Sequence, residues 1–155
     1  MLEEPYILAA DDSADDTFFA ERCFAAAGTE LHLKHCTNGL EIQSTLESCG
    51  PALPLAIILD LKMPFLDGFE TLKWIRGHAS FAHLPVYILS SSDLEEDRFR
   101  AHLLGCTDFL VKPMELDDLE KLIKILVERV LANAAAAKVI SVAAGVSAGM
   151  PRPSP

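Results

Sequence analysis

The chain is predicted to fold as a doubly wound α/β sandwich, and three observations predict it. Four short apolar runs, Tyr6–Ala10, Leu55–Leu59, Val86–Leu89 and Phe109–Val111, are separated by segments with helical periodicity. Apolar runs uninterrupted by charge read as strands buried on both faces, as in a parallel sheet. Each run also ends on a polar group: Asp11-Asp12, Asp60, Ser90 and Lys112. Ligands of open parallel sheets bind outside the carboxyl ends of the strands, so these residues are expected to converge at one end of one sheet.

The elements follow in order. After the first strand, Ser13 is an N-cap with Asp16 three residues on and Asp15 in the first turn, and the helix runs to about Ala27 before Gly28. Leu31–Cys36 alternates in polarity, as a half-exposed edge strand does. A second helix covers about Leu40 to Glu47, and Gly50-Pro51 and Pro54 mark the loop before the third strand. Gly68 opens a helix to about Arg76 with Phe69, Leu72 and Ile75 on one face; Trp74 lies off that stripe, where partner binding and peripheral packing are equally open to it. Asp93 and Glu96 resemble a capping box for the fourth helix, which stops at Gly105. The last helix spans about Glu115 to Leu131, its core stripe made of Leu119, Leu122, Ile123, Leu126 and Val130. Five βα units close most naturally in the flavodoxin-like order 2-1-3-4-5, which leaves the alternating second strand at an edge.

Residues 1–131 thus make one domain, and 132–155 read as an alanine-, glycine- and proline-rich tail, disordered or loosely helical. Lys138 interrupts this tail and its apolar stretch is short, which argues against a membrane span. A net charge of -10 argues against non-specific nucleic-acid binding and anionic membrane surfaces, and no basic helix follows Leu131. The acidic start lacks the basic region of a secretory signal, so a cytoplasmic location is expected. Cys23, Cys36, Cys49 and Cys106 match no zinc or redox spacing and read as reduced, mostly buried residues. The five histidines form no metal-ligand pattern.

Asp11, Asp12 and Asp60 would repel one another in a partly desolvated pocket. A hard divalent cation resolves that repulsion, and Mg2+ favours a few carboxylates completed by water and phosphate oxygens. Lys112 offsets charge from the end of the fifth strand, and Ser90 supplies a hydroxyl that can donate to an oxyanion. Such a set can accept and hold a phosphoryl group on a carboxylate.

These residues are similar to those of the receiver domain of two-component response regulators. The matching segments are Asp11-Asp12, the run Asp60-Leu61-Lys62-Met63-Pro64-Phe65-Leu66-Asp67-Gly68, Ser90, and Lys112-Pro113, and the similarity covers about Pro5 to Leu131. The loop from Ser90 to Asp97 looks more like stand-alone regulators that partner bacterial phytochromes. The resemblance implies Asp60 as phosphoacceptor, Mg2+ held directly by Asp12, Asp60 and the backbone carbonyl of Lys62, and Asp11 acting through water. It implies Ser90 and Lys112 as phosphoryl ligands, Ser90 and Phe109 as the switch pair, a cis Lys112–Pro113 peptide, and a sensor histidine kinase or phosphotransfer protein as donor. The chain departs from the family in Ala9-Ala10, where larger apolar residues are usual, in serine at position 90, and in Phe109, which lacks the usual phenol.

The function expected is a non-enzymatic phosphorylation switch. A small aspartyl-phosphate phosphatase is one alternative, opposed by Lys62 where such enzymes carry a second aspartate. A pseudo-receiver that binds partners without phosphorylation is the other. Ile125 and Val127 lie off the last helix's core stripe beside Lys121, Lys124 and Glu128, so a homodimer through the fourth helix, fifth strand and fifth helix is expected.

Overall fold

The computed structural model describes residues 4–28 and 30–148, in which strands and helices alternate throughout. In chain order they are β1 (Tyr6–Ala10), α1 (Ala14–Ala26), β2 (His32–Cys36), α2 (Gly39–Ser48), β3 (Ala56–Leu59), α3 (Gly68–Gly77), β4 (Val86–Ser90), α4 (Glu95–Leu103), β5 (Asp108–Val111) and α5 (Leu116–Ala148). All strand pairs are parallel and the order is β2-β1-β3-β4-β5, the predicted closure with β2 at an edge.

The two-residue pleat sorts the central strands between two cores. Leu8, Ala10, Ile57, Leu59, Val86 and Ile88 face Ile42 and Leu46 of α2, Leu72 and Ile75 of α3 and Ala101 of α4. Ile7, Ala56, Ile58, Tyr87 and Leu89 face Phe24 of α1 and Ile123, Leu126, Val127 and Val130 of α5. Burial on both faces is why these strands read as unbroken apolar runs, while exposed His32 and Lys34 give edge strand β2 its alternation.

Most helix ends match their sequence signals. Ser13 caps α1 by accepting from the Asp16 N–H at 3.3 Å, and Gly28 follows at φ +64°. Asn38 and Asp67 cap α2 and α3 the same way, at 2.9 and 2.8 Å. The fourth helix differs. It begins at Glu95, Leu94 makes no side-chain cap, and the expected Asp93–Glu96 box does not form. Ser92 shapes that turn instead: its hydroxyl donates to Asp97 at 2.5 Å and accepts from the Leu94 N–H at 3.4 Å. Trp74 packs at the periphery, with His78 and Phe81 ring centroids 5.3 and 5.7 Å away.

Two expectations about α5 are corrected. The helix does not stop near Leu131 but continues to Ala148, through an alanine-rich stretch with the best intrinsic helix propensity and no proline before Pro151. Its last buried residue among those described is Val130, and Asn133 reaches the Tyr87 hydroxyl at 3.3 Å. Residues 149–155 of the expected tail lie outside the described residues. Val127, expected at the surface, is buried in the core between sheet and helix; only Ile125 of that pair is exposed.

Gly68 starts α3 directly against β3. A Cβ there would sit 2.3 Å from the Asp60 carbonyl oxygen and 2.8 Å from the Leu61 Cα, both backbone atoms that cannot step aside. Gly77, at the other end of α3, has nothing within 4 Å of such a carbon. Gly68→Ala is therefore expected to destabilise by about 1–3 kcal/mol, and Gly77→Ala to be neutral or stabilising by up to about 1 kcal/mol. Urea titrations of the two variants check the contrast, and equal effects would refute it.

Candidate functional site

Sheet register delivers the polar residues to one rim. Ala10 pairs with Leu59, and the Asp60 N–H donates to the Ala10 carbonyl at 3.0 Å, so Asp11 and Asp60 leave β1 and β3 side by side. Ser90 pairs with Val111, and the Lys112 N–H donates to the Ser90 carbonyl at 2.8 Å. From there the Lys112 side chain crosses the rim. Its ammonium donates to Asp11 at 2.6 Å, to Asp16 at 2.9 Å and to Asp60 at 3.4 Å.

Three of the expected residues, Asp11, Asp60 and Lys112, are thus in direct contact, and Ser90 and Asp12 flank them. Asp16 is a site residue that sequence reading assigned only to the start of a helix. No local signal reveals it, because Asp12 precedes the Ser13 cap and the one-turn spacing of a helix does not extend back to it. Lys62 is exposed in the β3–α3 loop, and its side chain has no partner among the described residues. Phe109 is only 2% exposed, packed in the core with the Arg98 guanidinium 5.2 Å from its ring centroid. The ring points inward in this structure. No cis peptide occurs among the described residues, so the expected cis Lys112–Pro113 bond is trans.

The electrostatics follow from burial and proximity. Burial pushes the Asp60 carboxyl above the usual carboxylate range; the Lys112 charge pulls it back and the Asp11 charge adds to the rise. Burial alone would lower the Lys112 ammonium, but its hydrogen bonds to Asp11 and Asp16 and the charge of Asp60 hold it above the ordinary lysine value. Behind the carboxylates lies a small cavity of about 40 Å3, bordered by Ala9, Ala20, Phe24 and Ile123.

One oxygen from each of Asp11, Asp12 and Asp60 can lie within 4.8 Å of the others, a spacing that fits one hard cation. The three do not stand alike. Asp11 spends one oxygen on the Ser13 N–H, at 2.9 Å, and the other on Lys112. Asp60 accepts from the Leu61 N–H at 2.7 Å through one oxygen and faces Lys112 with the other. Asp12 is exposed and its carboxylate has no partner among the described residues, so it is the least committed donor. Ser90 is buried; its oxygen accepts from the Ser92 N–H at 3.3 Å, which leaves the hydroxyl proton free to donate.

Because the folded protein raises the Asp60 pKa, it binds more protons than the unfolded chain between the ordinary and the raised value. Its stability from this group is greatest in acid and falls as pH rises through that window. Asp60→Asn removes the penalty. Without divalent metal, the variant is expected to melt a few degrees higher at pH 7, with about 2–4 °C per kcal/mol for a domain of this size. The gain should vanish as pH falls below the ordinary carboxylate range. Thermal melts across pH check it; a gain that persists in acid would contradict the assignment.

The family model of the response regulator receiver domain matches residues 7–124. The response regulator Rre1 of Synechocystis is 37% identical over 128 residues, which are 83% of this chain and 54% of that protein, so the chain spans about half of its length. The Mn2+-bound form of response regulator Rcp1 superposes with a TM-score of 0.71 at 27% identity, over 77% of this chain and 89% of that one. The phosphorylated cyanobacterial phytochrome response regulator RcpA gives 0.78 at 24% identity, over 84% and 96%, a likeness of fold. With its sheet order and its rim of aspartates facing one lysine, the chain belongs to the receiver domain family of two-component response regulators, which are phosphorylation-dependent signalling modules.

Proposed function

We propose that Asp60 accepts a phosphoryl group from a sensor histidine kinase or a phosphotransfer protein, with Mg2+ as the required cation. The observation that carries this reading is the Lys112 ammonium, held within reach of Asp60 at the rim where Ser90 keeps an uncommitted hydroxyl proton. Asp12, Asp60 and the Lys62 carbonyl would hold the metal directly. Asp11, with both oxygens engaged, would act through water. When bound there, Mg2+ would neutralise the carboxylates and draw charge from the phosphoryl oxygens. A carboxylate oxygen of Asp60 attacks phosphorus as the bond to the phosphohistidine nitrogen breaks, and the imidazole leaves with the electron pair. Lys112 and Ser90 donate to the oxygens on which charge collects. Lys62 gives no second carboxylate for a phosphatase step, and the intact rim disfavours a pseudo-receiver. The likeness of the Ser90–Asp97 loop favours a phytochrome-type kinase. No helix among the described residues is long and apolar enough to cross a membrane, and we place the protein in the cytoplasm, where such kinases act.

Incubation with acetyl phosphate should add one phosphoryl mass to the intact protein with Mg2+ and none after chelation or in Asp60→Asn. Incorporation that survives either change would sink the assignment. Asp12→Ala should weaken metal binding about tenfold or more, and Asp11→Ala less, as direct and water-mediated ligands differ.

The output surface we assign is the α4–β5–α5 face, used as a homodimer. Val127 drops out of it, but Ile125 remains, and α4 adds Phe99 and Leu103, one turn apart and 66% and 71% exposed. Ser90 couples this face to the phosphoryl group through the Ser92 turn that starts α4. Equilibrium sedimentation with and without beryllofluoride should show a dimer strengthened by the analogue, and Leu103→Asp should weaken it about tenfold. A monomer in both states at tens of micromolar would exclude this use of the face.

A further inference from the structure

We infer that Asp16 is a positioning residue for Lys112, a built-in occupant of the donor that a phosphoryl oxygen on Asp60 would take over. An ammonium group has three protons to donate. Asp11, Asp16 and Asp60 are its three acceptors, so none is left for an incoming oxyanion. Phosphorylation takes the carboxylate charge off Asp60 and frees its share of Lys112, already the longest of the three contacts. A second proton for the phosphoryl oxygens has to come from Asp11 or Asp16, and these two are unequally able to release it. Asp11 has a side chain only 14% exposed, and its second oxygen is tied to the Ser13 N–H. Asp16 is 45% exposed and its second oxygen has no partner among the described residues. Water can replace Lys112 at Asp16 at the least cost. The residue also sits in the first turn of α1, where the helix dipole steadies a carboxylate that has lost its cation.

This rests on the reading of Asp60 as phosphoacceptor, and it gives Asp16 two opposite effects. In the resting protein Asp16 draws the ammonium away from Asp11 and Asp60, the carboxylates a divalent cation needs, and it adds negative charge nearby, so it favours the metal. Toward a phosphoryl group it is a competitor for Lys112 and a repulsive neighbour, so it disfavours the anion. A residue that merely supports the fold would not move these two equilibria in opposite directions.

The test is Asp16→Asn, with Asp16→Glu as the conservative variant that keeps the carboxylate. Mg2+ alone is titrated first, followed by backbone amide NMR. Beryllofluoride is then titrated at saturating Mg2+. Asp16→Asn should bind Mg2+ about threefold or more weakly and beryllofluoride about threefold to tenfold more tightly, the scale of a partly exposed ion pair. Asp16→Glu should restore both midpoints toward the wild type. Shifts of the same sign, or an unmoved midpoint in either titration, would overturn the role of Asp16 alone. A wild-type protein that takes Mg2+ but no beryllofluoride would overturn the phosphoacceptor reading and this inference with it.

Discussion

One ammonium group sets the electrostatics of the whole rim. Two unit charges 4 Å apart interact by about 4 kcal/mol at the effective dielectric of a protein near its surface. Carboxylates packed as Asp11 and Asp60 are, at the ends of neighbouring strands, cannot share that space ionised without a cation. Lys112 reaches both, and Asp16 as well. It can do so because β5 lies beside β4 and its first residue beyond the strand is still tied to the Ser90 carbonyl. Sheet order thus becomes charge balance.

The backbone makes the frame that this balance needs. Asp60 is held from both sides, by its own N–H on β1 and by its carbonyl oxygen against the bare α-carbon of Gly68. The turn between them closes through the Gly68 N–H on the Leu61 carbonyl at 3.0 Å, and Phe65 takes a left-handed φ of 67° within it. On the other side, α1 is linked to the rim by Asp16 and packs beside α5 through the second core. The residues that would meet a phosphoryl group are therefore borne by elements that share a core, not by independent loops.

The sheet was legible in the sequence because burial on both faces leaves unbroken apolar runs, and because the alternation of Leu31–Cys36 marks an edge. Asp60, Asp11, Ser90 and Lys112 were legible as strand-end residues for the same reason. Asp16 was hidden by ambiguity: an acid three residues after a capping serine reads as part of the helix start, so nothing local reveals its partner across the rim. Val127 was misplaced because α5 packs against both the sheet and α1, and its buried face is wider than the stripe that Leu119, Ile123 and Val130 suggest. α5 runs past the expected end near Leu131 into the stretch read as disordered or loosely helical, because alanine propagates a helix better than any other residue and the change of composition there is not a change of structure. The trans Lys112–Pro113 bond corrects an expectation that came from resemblance alone.

The long last helix has a hydrodynamic consequence. At 1.5 Å per residue, its 33 residues span about 50 Å. The part beyond Asn133, a spur of helix to Ala148, accounts for about 22 Å of that length. A compact domain of roughly 130 residues has a radius of gyration of about 14 Å. The spur is thus longer than that radius, and it raises friction out of proportion to mass. A single copy will elute from a sizing column earlier than a sphere of 16.9 kDa and can imitate a pair. Only a quantity that depends on mass, or a scattering profile that resolves the spur, separates elongation from association.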